Sequence, residues 1–373
     1  MRLFTILIFS ILTFTFTLPE LNSKGKEPLV AYLKDGKWHF LDTDGDLMME
    51  PMPLVNFFGY SERLFAAKAY KSKDELFSIF FDSTATVQIA IDADIADPFK
   101  NGMALVANRT SDSLLPYRAG FINKKGDLVV PMEYVDFTSF GEDGLAYLMD
   151  SLAKDGWRGY IDTSGKRIIE LPDNIVGYQF SEGLAMVGDS VPNLGFINKK
   201  GDIVLPPIYD SPSKFSEGLA ATSDNSLMGY ISKETGKFVI EPKYEAASDF
   251  SEGRAFVGKM TPGGQPKWAL INPKGDMLKN FMYDYANPFS EGLASVYVDN
   301  KFIFIGKDGE PAIQKIFTYA GSFENGLAWA AIAEDKTQGY IDKNGEWVVK
   351  LPLAEKYIDL RSNKQVGLIG TLD

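Results

Sequence analysis

Apolar residues run through this chain in short β-type bursts, each closed by a polar turn. No helical period is sustained over the ~11 residues that a helix face needs. The commonest burst is a glycine, an aromatic residue and an isoleucine, followed by Asp or Asn, two further residues and a second glycine. Gly159-Tyr160-Ile161-Asp162-Thr163-Ser164-Gly165 matches Gly339-Tyr340-Ile341-Asp342-Lys343-Asn344-Gly345, and residues 120–127 nearly duplicate 195–202. A second apolar run leaves the turn, as in Leu128-Val129-Val130, Ile203-Val204-Leu205, Phe238-Val239-Ile240 and Trp347-Val348-Val349. This pattern predicts a β-hairpin: Asp or Asn opens the turn and Gly supplies the positive φ. Proline commonly ends the second run, at Pro131, Pro172, Pro206, Pro242 and Pro352. It lacks the N–H that would continue a ladder.

A second phrase lies between the hairpins. Phe180-Ser181-Glu182-Gly183-Leu184-Ala185 returns at residues 215–220 and 289–294, with looser copies at 99–104, 250–255 and 323–328. Its phenylalanine falls at 99, 140, 180, 215, 250, 289 and 323, and Tyr60-Ser61-Glu62-Arg63-Leu64 reads as a degraded earlier copy. A buried Phe, a tight turn and a small Ala allowing close approach make this a joint between units. Recurrence at 34 to 41 residues means an array of stacked supersecondary units.

Weaker hairpins at residues 38–45, 80–85, 269–275 and 304–309 bring the count to about nine, and a tenth begins at Val366-Gly367-Leu368-Ile369. The expected fold is therefore an all-β repeat protein of about nine three-stranded antiparallel units in a propeller-like closed or nearly closed array. Closure hides sheet edges, and the C-terminal stub and the hairpin at Trp38 are the segments that could close it. The alternative is an open β-solenoid, capped by the degraded copies around Tyr60 and Phe80.

The Gly-aromatic-Ile-Asp/Asn-x-x-Gly turn, the Val-Ile-x-Pro-x-Tyr stretch and the Phe-Ser-Glu-Gly-Leu-Ala link recur in fixed order from about Val30 to the C-terminus. In this the chain resembles the WG (KWG) repeat family of bacterial proteins. The namesake Trp-Gly pair is absent: Arg158, Leu194 and Met228 precede the glycine, and Trp268 precedes Ala269. The resemblance implies a β-repeat architecture, propeller-like, and supplies no catalytic residues.

Composition narrows the chemistry. A net charge of −12 opposes a nucleic-acid partner, which needs a basic footprint. The absence of cysteine excludes disulfides, thiolate metal sites and a cysteine nucleophile, and the single histidine, His39, excludes a multi-histidine metal site. Met1-Arg2 followed by an unbroken stretch of apolar residues, Thr and Ser from Leu3 to Leu18 reads as an export signal, too short for a comfortable membrane span. Residues 1–23 are expected to be a signal peptide, cleaved after Ser23, and 24–373 the repeat domain. The mature chain would then be secreted or periplasmic with no membrane span; the alternative is an uncleaved anchor.

Few residues stand out as sites. Asp42-Thr43-Asp44-Gly45-Asp46 places oxygen ligands at alternate positions, but it is in register with the hairpin turns and reads as one. The acidic stretch 90–97 reads as a solvated loop, and His39 as structural. Trp157, Trp329 and Trp347 are larger than their repeat equivalents and are the candidate binding residues, since repeat proteins place specific contacts where units differ; plain packing is the competing role. No catalytic residue, metal or cofactor is assigned. The expected function is an exported, non-enzymatic binding or scaffold protein whose partner is a protein or surface glycan of the cell envelope. The alternative is a propeller-type hydrolase with carboxylates at one face.

Overall fold

The computed structural model describes residues 26–72, 75–112, 115–150, 156–189 and 194–366, all of it strand, turn and irregular chain. The expected signal segment 1–23 and residues 367–369 of the tenth hairpin lie outside these residues.

Nine small antiparallel sheets form the blades of a closed nine-bladed β-propeller. We number them from the blade holding both ends of the described chain, and letter the strands a to d outward from the axis. Blade 4 is typical: Asp136–Phe137, Leu145–Met149, Arg158–Asp162 and Arg167–Glu170 lie side by side in that order. The hairpin phrase makes strands c and d, and the Phe-Ser-Glu-Gly-Leu-Ala phrase makes the turn from a to b. Seven sheets have four strands and two have three among the described residues, where the sequence pattern predicted three. Inner strands such as Ile95–Ala96 and Val176–Gly177 are two residues long, too short to show a period.

Blade 1 closes the ring. Pro28–Lys34 and Lys37–Asp42 come from one end of the chain, Lys356–Asp359 and Lys364–Val366 from the other. Val30 pairs opposite Asp359 and Leu33 opposite Lys356. The open solenoid is thereby replaced by the ring, which leaves no unpaired inner or end sheet.

The core is divided among nine apolar clusters, one for each seam between blades. In most, the Phe of the joint packs on the strand-c aromatic of the preceding blade. Ring centres are 4.8 Å apart for Phe80–Phe99, Phe121–Phe140, Phe196–Phe215 and Tyr230–Phe250. The joint alanines, such as Ala104, Ala185 and Ala328, are wholly buried. Small and large residues thus interlock between blades as close packing requires.

Candidate functional site

The joint phrase ties each blade to the next with polar groups as well as with its phenylalanine. Its Ser hydroxyl donates to the carbonyl of the following Phe: Ser181 to Phe215 at 2.8 Å, Ser216 to Phe250 at 2.7 Å, Ser251 to Phe289 and Ser290 to Phe323 at 2.6 Å. The next residue, Glu, lies in the left-handed region, with φ of +50° at Glu182 and +55° at Glu217, a conformation that costs an L-residue roughly 1–2 kcal/mol. From there its carboxylate accepts a backbone N–H of the following blade: Gly253 on Glu217 and Gly292 on Glu252 at 2.8 Å, Gly326 on Glu291 at 3.0 Å.

A lysine from the following blade's c–d turn approaches the same carboxylate. Lys124 is 2.9 Å from Glu62, Lys343 is 3.0 Å from Glu291, Lys307 is 3.1 Å from Glu252 and Lys233 is 3.7 Å from Glu182; Lys199 pairs with Asp143 in the same way. Partial burial pushes Glu252 and Glu291 up, but the glycine amides and lysines outweigh it and hold both below the usual glutamate range.

Where the acid is absent, so is the lysine. Asn101, Asn325 and Asn363 take the acid's place, and Thr163, Thr43 and Ser83 stand at the lysine position of the blades that follow. Asn101 instead donates to the Gly141 carbonyl at 2.7 Å, and Asn363 holds both backbone groups of Tyr60, accepting at 2.6 Å and donating at 2.8 Å. One seam breaks the rule. Between blades 6 and 7, Glu217 faces a turn with Pro273 at the lysine position.

That seam carries a surface groove of about 400 Å³. Leu227 enters it from the b–c hairpin of blade 6, whose turn residues Asn225 and Ser226 both have positive φ (+50° and +65°), the geometry of a tight two-residue turn. Lys243 comes from the outermost strand of blade 6, Glu245 from the crossing into blade 7, where its N–H pairs with the Gly258 carbonyl, Lys259 from strand b of blade 7, and Met277 and Phe281 from its outermost strand Met277–Tyr283. Met277 is 46% exposed and Leu227 37%. The Lys243 ammonium lies 5.2 Å from the centre of the buried Tyr244 ring, and Glu245 accepts the Met260 amide. The groove thus offers an aliphatic and thioether wall with cations beside it. It contains no nucleophile–base pair.

A family model for the WG-containing repeat matches residues 120–148, 195–227, 228–259, 268–302 and 304–332. This is a WG-repeat protein. No curated protein matches the sequence. Among solved structures it is similar to a eukaryotic initiation factor, with TM-score 0.61 and 11% identity over 91% of this chain and 97% of that one. At that identity the likeness shows the fold alone. BamB from Moraxella catarrhalis is a weaker match, with TM-score 0.38 and 9% identity over 87% of this chain and 93% of that one.

The WG-repeat glycine is fixed by sterics. A Cβ on Gly159 would stand 1.9 Å from the Ile169 carbonyl oxygen, and one on Gly339 2.0 Å from that of Val349. The residue before it is under no such constraint and is Arg158 or Gln338 here. The expected binding tryptophans are scattered in this frame. Trp157 is buried between blades 3 and 4, with the Arg167 guanidinium 4.3 Å over its ring. Trp329 is buried between blades 9 and 1 against Tyr340 and Tyr357, and Trp347 is half-buried between blades 8 and 9. The structure brings no two of them together. All three pack, and Trp157 and Trp329 offer almost no surface to a partner.

The remaining candidates also have structural partners. Asp42 accepts the amides of Asp44 and Asp46 at 3.0 Å, as Asn123, Asp162 and Asn198 do in their own turns, and the Lys26 ammonium lies 2.5 Å from Asp44. Among the described residues no group of three or more His, Asp or Glu side chains is placed to hold a metal ion. Within the acidic stretch 90–97, Ile95–Ala96 forms an inner strand, and Asp94 pairs with the buried Lys68 at 3.2 Å. Only part of the stretch is therefore solvated loop. His39 stacks on Tyr32 with centres 4.6 Å apart, and burial, then Lys34, pushes its pKa down. Among the described residues no helix is long and apolar enough to cross a membrane.

The groove residues were missed from sequence. The same seam holds Pro273, the one departure from the acid–lysine pairing, but Pro273 and Glu217 do not line the groove, and no sequence signal marked its residues.

Proposed function

We propose that this is an exported, non-enzymatic binding or scaffold protein that recognises a protein or surface glycan through its outer repeat surface. The observation that carries the reading is the seam between blades 6 and 7, where the repeat pattern departs from its own rule and an apolar groove flanked by lysines opens. Export is supported by the apolar stretch behind Met1-Arg2. The competing hydrolase needs two facing carboxylates free to exchange protons and attack. The repeated carboxylates are instead bound to backbone amides and lysines. Asp97, a carboxyl that burial pushes up, accepts from Ser139 at 3.2 Å.

The test is affinity capture. Immobilised protein beginning near Lys24 is incubated with envelope extract, beside a variant carrying Met277→Glu and Lys259→Glu. A protein or glycan held by the parent and released by the variant is the expected result. Retention of nothing above a scrambled-surface control sinks the proposal.

A further inference from the structure

We infer that the seam between blades 6 and 7 binds an acidic peptide in extended conformation, laid along strand Met277–Tyr283 with an apolar side chain against Leu227, Met277 and Phe281 and carboxylates on Lys243 and Lys259. This rests on the reading of the protein as a binding module and goes beyond it by stating the partner's chemistry.

The first observation is a proline-free edge. The outermost strand of a blade has a solvent-facing row of backbone groups, and proteins protect such edges with proline or other devices. The comparable seven-residue outer strands here contain it: Pro131 in Leu128–Tyr134, Pro206 and Pro207 in Ile203–Tyr209, Pro242 in Phe238–Tyr244. Met277–Tyr283 has none. The Phe281 amide donates to the Asn280 side chain at 2.8 Å and the ladder shifts register twice, so an added strand, one established way an extended peptide joins a sheet, pairs with the proline-free edge between these irregularities. Alternate side chains of the added strand would then point to the seam side, where Met277 and Phe281 line the groove.

The second observation is charge. Residues 245–283, which make blade 7, carry five basic and four acidic side chains in a chain of net charge −12. Lys233, Lys307 and Lys343 serve joints, but Lys243 and Lys259 form no ion pair among the described residues. A carboxylate arriving there gains attraction without breaking an existing pair. Glu245 stands on the same lining and disfavours a run of carboxylates, so the fit is to a strand whose seam-facing positions, every second residue, set an apolar side chain beside acids. The aliphatic and thioether wall suits a peptide side chain, and the groove volume of about 400 Å³ is ample for one or two. A sugar would seek a flat exposed aromatic ring, and Tyr244 beside the groove is only 4% exposed.

The test is fluorescence anisotropy of the full chain with three labelled ten-residue peptides that repeat Leu-Ser-X-Ser, X being Glu, Gln or Lys, so that Leu and X share one face of the extended strand. The Leu/Glu peptide is expected to bind at least tenfold more tightly than the Leu/Lys peptide, and to weaken as salt rises. Lys243→Glu with Lys259→Glu should remove that preference or reverse it. Ile203→Glu, on the outer strand of blade 5, should leave it unchanged. Equal binding of the Leu/Glu and Leu/Lys peptides, or Leu/Glu binding that ignores the double charge reversal, overturns the inference. If envelope capture depends on Met277 and Lys259 while the Leu/Glu peptide does not bind, the binding-module reading stands and the acidic-peptide inference falls. Release of a glycan from the captured material has the same meaning.

Discussion

At Gly339 an added Cβ would stand 2.0 Å from the Val349 carbonyl oxygen, on backbone with φ of +147°. Gly183 in the joint turn has φ of +79° and nothing within 4 Å of that position. The two glycines therefore answer different demands, close approach of a neighbouring strand in one case and left-handed backbone alone in the other. Gly183→Ala should cost about 1–2 kcal/mol, the ordinary penalty of left-handed backbone. Gly339→Ala adds a backbone collision and should cost more than about 3 kcal/mol. Urea unfolding of the two variants checks this, and equal losses would contradict it. The glycines themselves were legible in the sequence as turn and hairpin signals. Their different reasons were not, because the collision involves strand d, and the sequence does not state how closely c and d approach.

At the scale of the element, the joint is held by side chains whose partners lie on the next blade. In the sequence the repeated Glu is only a member of the joint's tight turn. In the fold it accepts a glycine amide and pairs with a lysine some 50 residues away, as Glu291 does with Gly326 and Lys343. Each such pair is partly exposed and contributes little alone, roughly 0.2–1 kcal/mol. The pH dependence is their clearer signature. Glu252 and Glu291 titrate lower in the folded chain than the ordinary value of 4.5. Their stabilisation is therefore present above about pH 4.5 and is lost as pH falls through the lowered folded values. The Glu252→Gln, Glu291→Gln double variant should be less stable than the parent at neutral pH and lose less stability on acidification. Thermal unfolding across that pH range measures it, and parallel curves would show that these carboxylates do not couple to folding. The same argument explains where the candidate tryptophans sit. Trp157 and Trp329 are large departures from the repeat pattern, but bulk at those positions fills a seam. Pro273 is a small departure, but it removes a cation from one.

For the whole molecule, the decisive contact joins chain positions more than 300 residues apart. Strand Lys356–Asp359 pairs with Pro28–Lys34, and Asn363 holds the backbone of Tyr60. A buried polar group locks this closure. Arg361 Nη2 lies 2.5 Å from Asp359 Oδ2, its Nε 3.0 Å from Oδ1, and Tyr340 donates to the same carboxylate at 2.9 Å. Asp359 is 4% exposed, so Asp359→Ala leaves the guanidinium buried without its counter-charge, at a cost of about 3–5 kcal/mol. Because the contact closes the ring, the variant should also expose the edges of blade 1, which are free to pair between molecules. A lower unfolding midpoint together with larger species in size-exclusion chromatography is expected. An unchanged midpoint would show that closure does not depend on this ion pair.

The sequence by itself determined the turns, the period and the all-β repeat class, because apolar bursts and Asp-x-x-Gly turns are local signals. The prolines expected to end the second run at 131, 206 and 242 instead lie inside Leu128–Tyr134, Ile203–Tyr209 and Phe238–Tyr244, on an outer edge where no partner strand needs their N–H. The sequence also marked the two ends of the array as the parts that close it, although the pair that does so is Pro28–Lys34 with Lys356–Asp359 rather than the Trp38 hairpin with the stub at Val366. Tertiary structure alone decided that the ring closes, that a two-residue inner strand joins most units, and that the acids of the joint belong to lysines of the next blade. It also decided that tryptophans fill seams while a groove opens between blades 6 and 7. These outcomes rest on contacts between residues far apart in the chain, whose partners become known only when one blade is set beside the next.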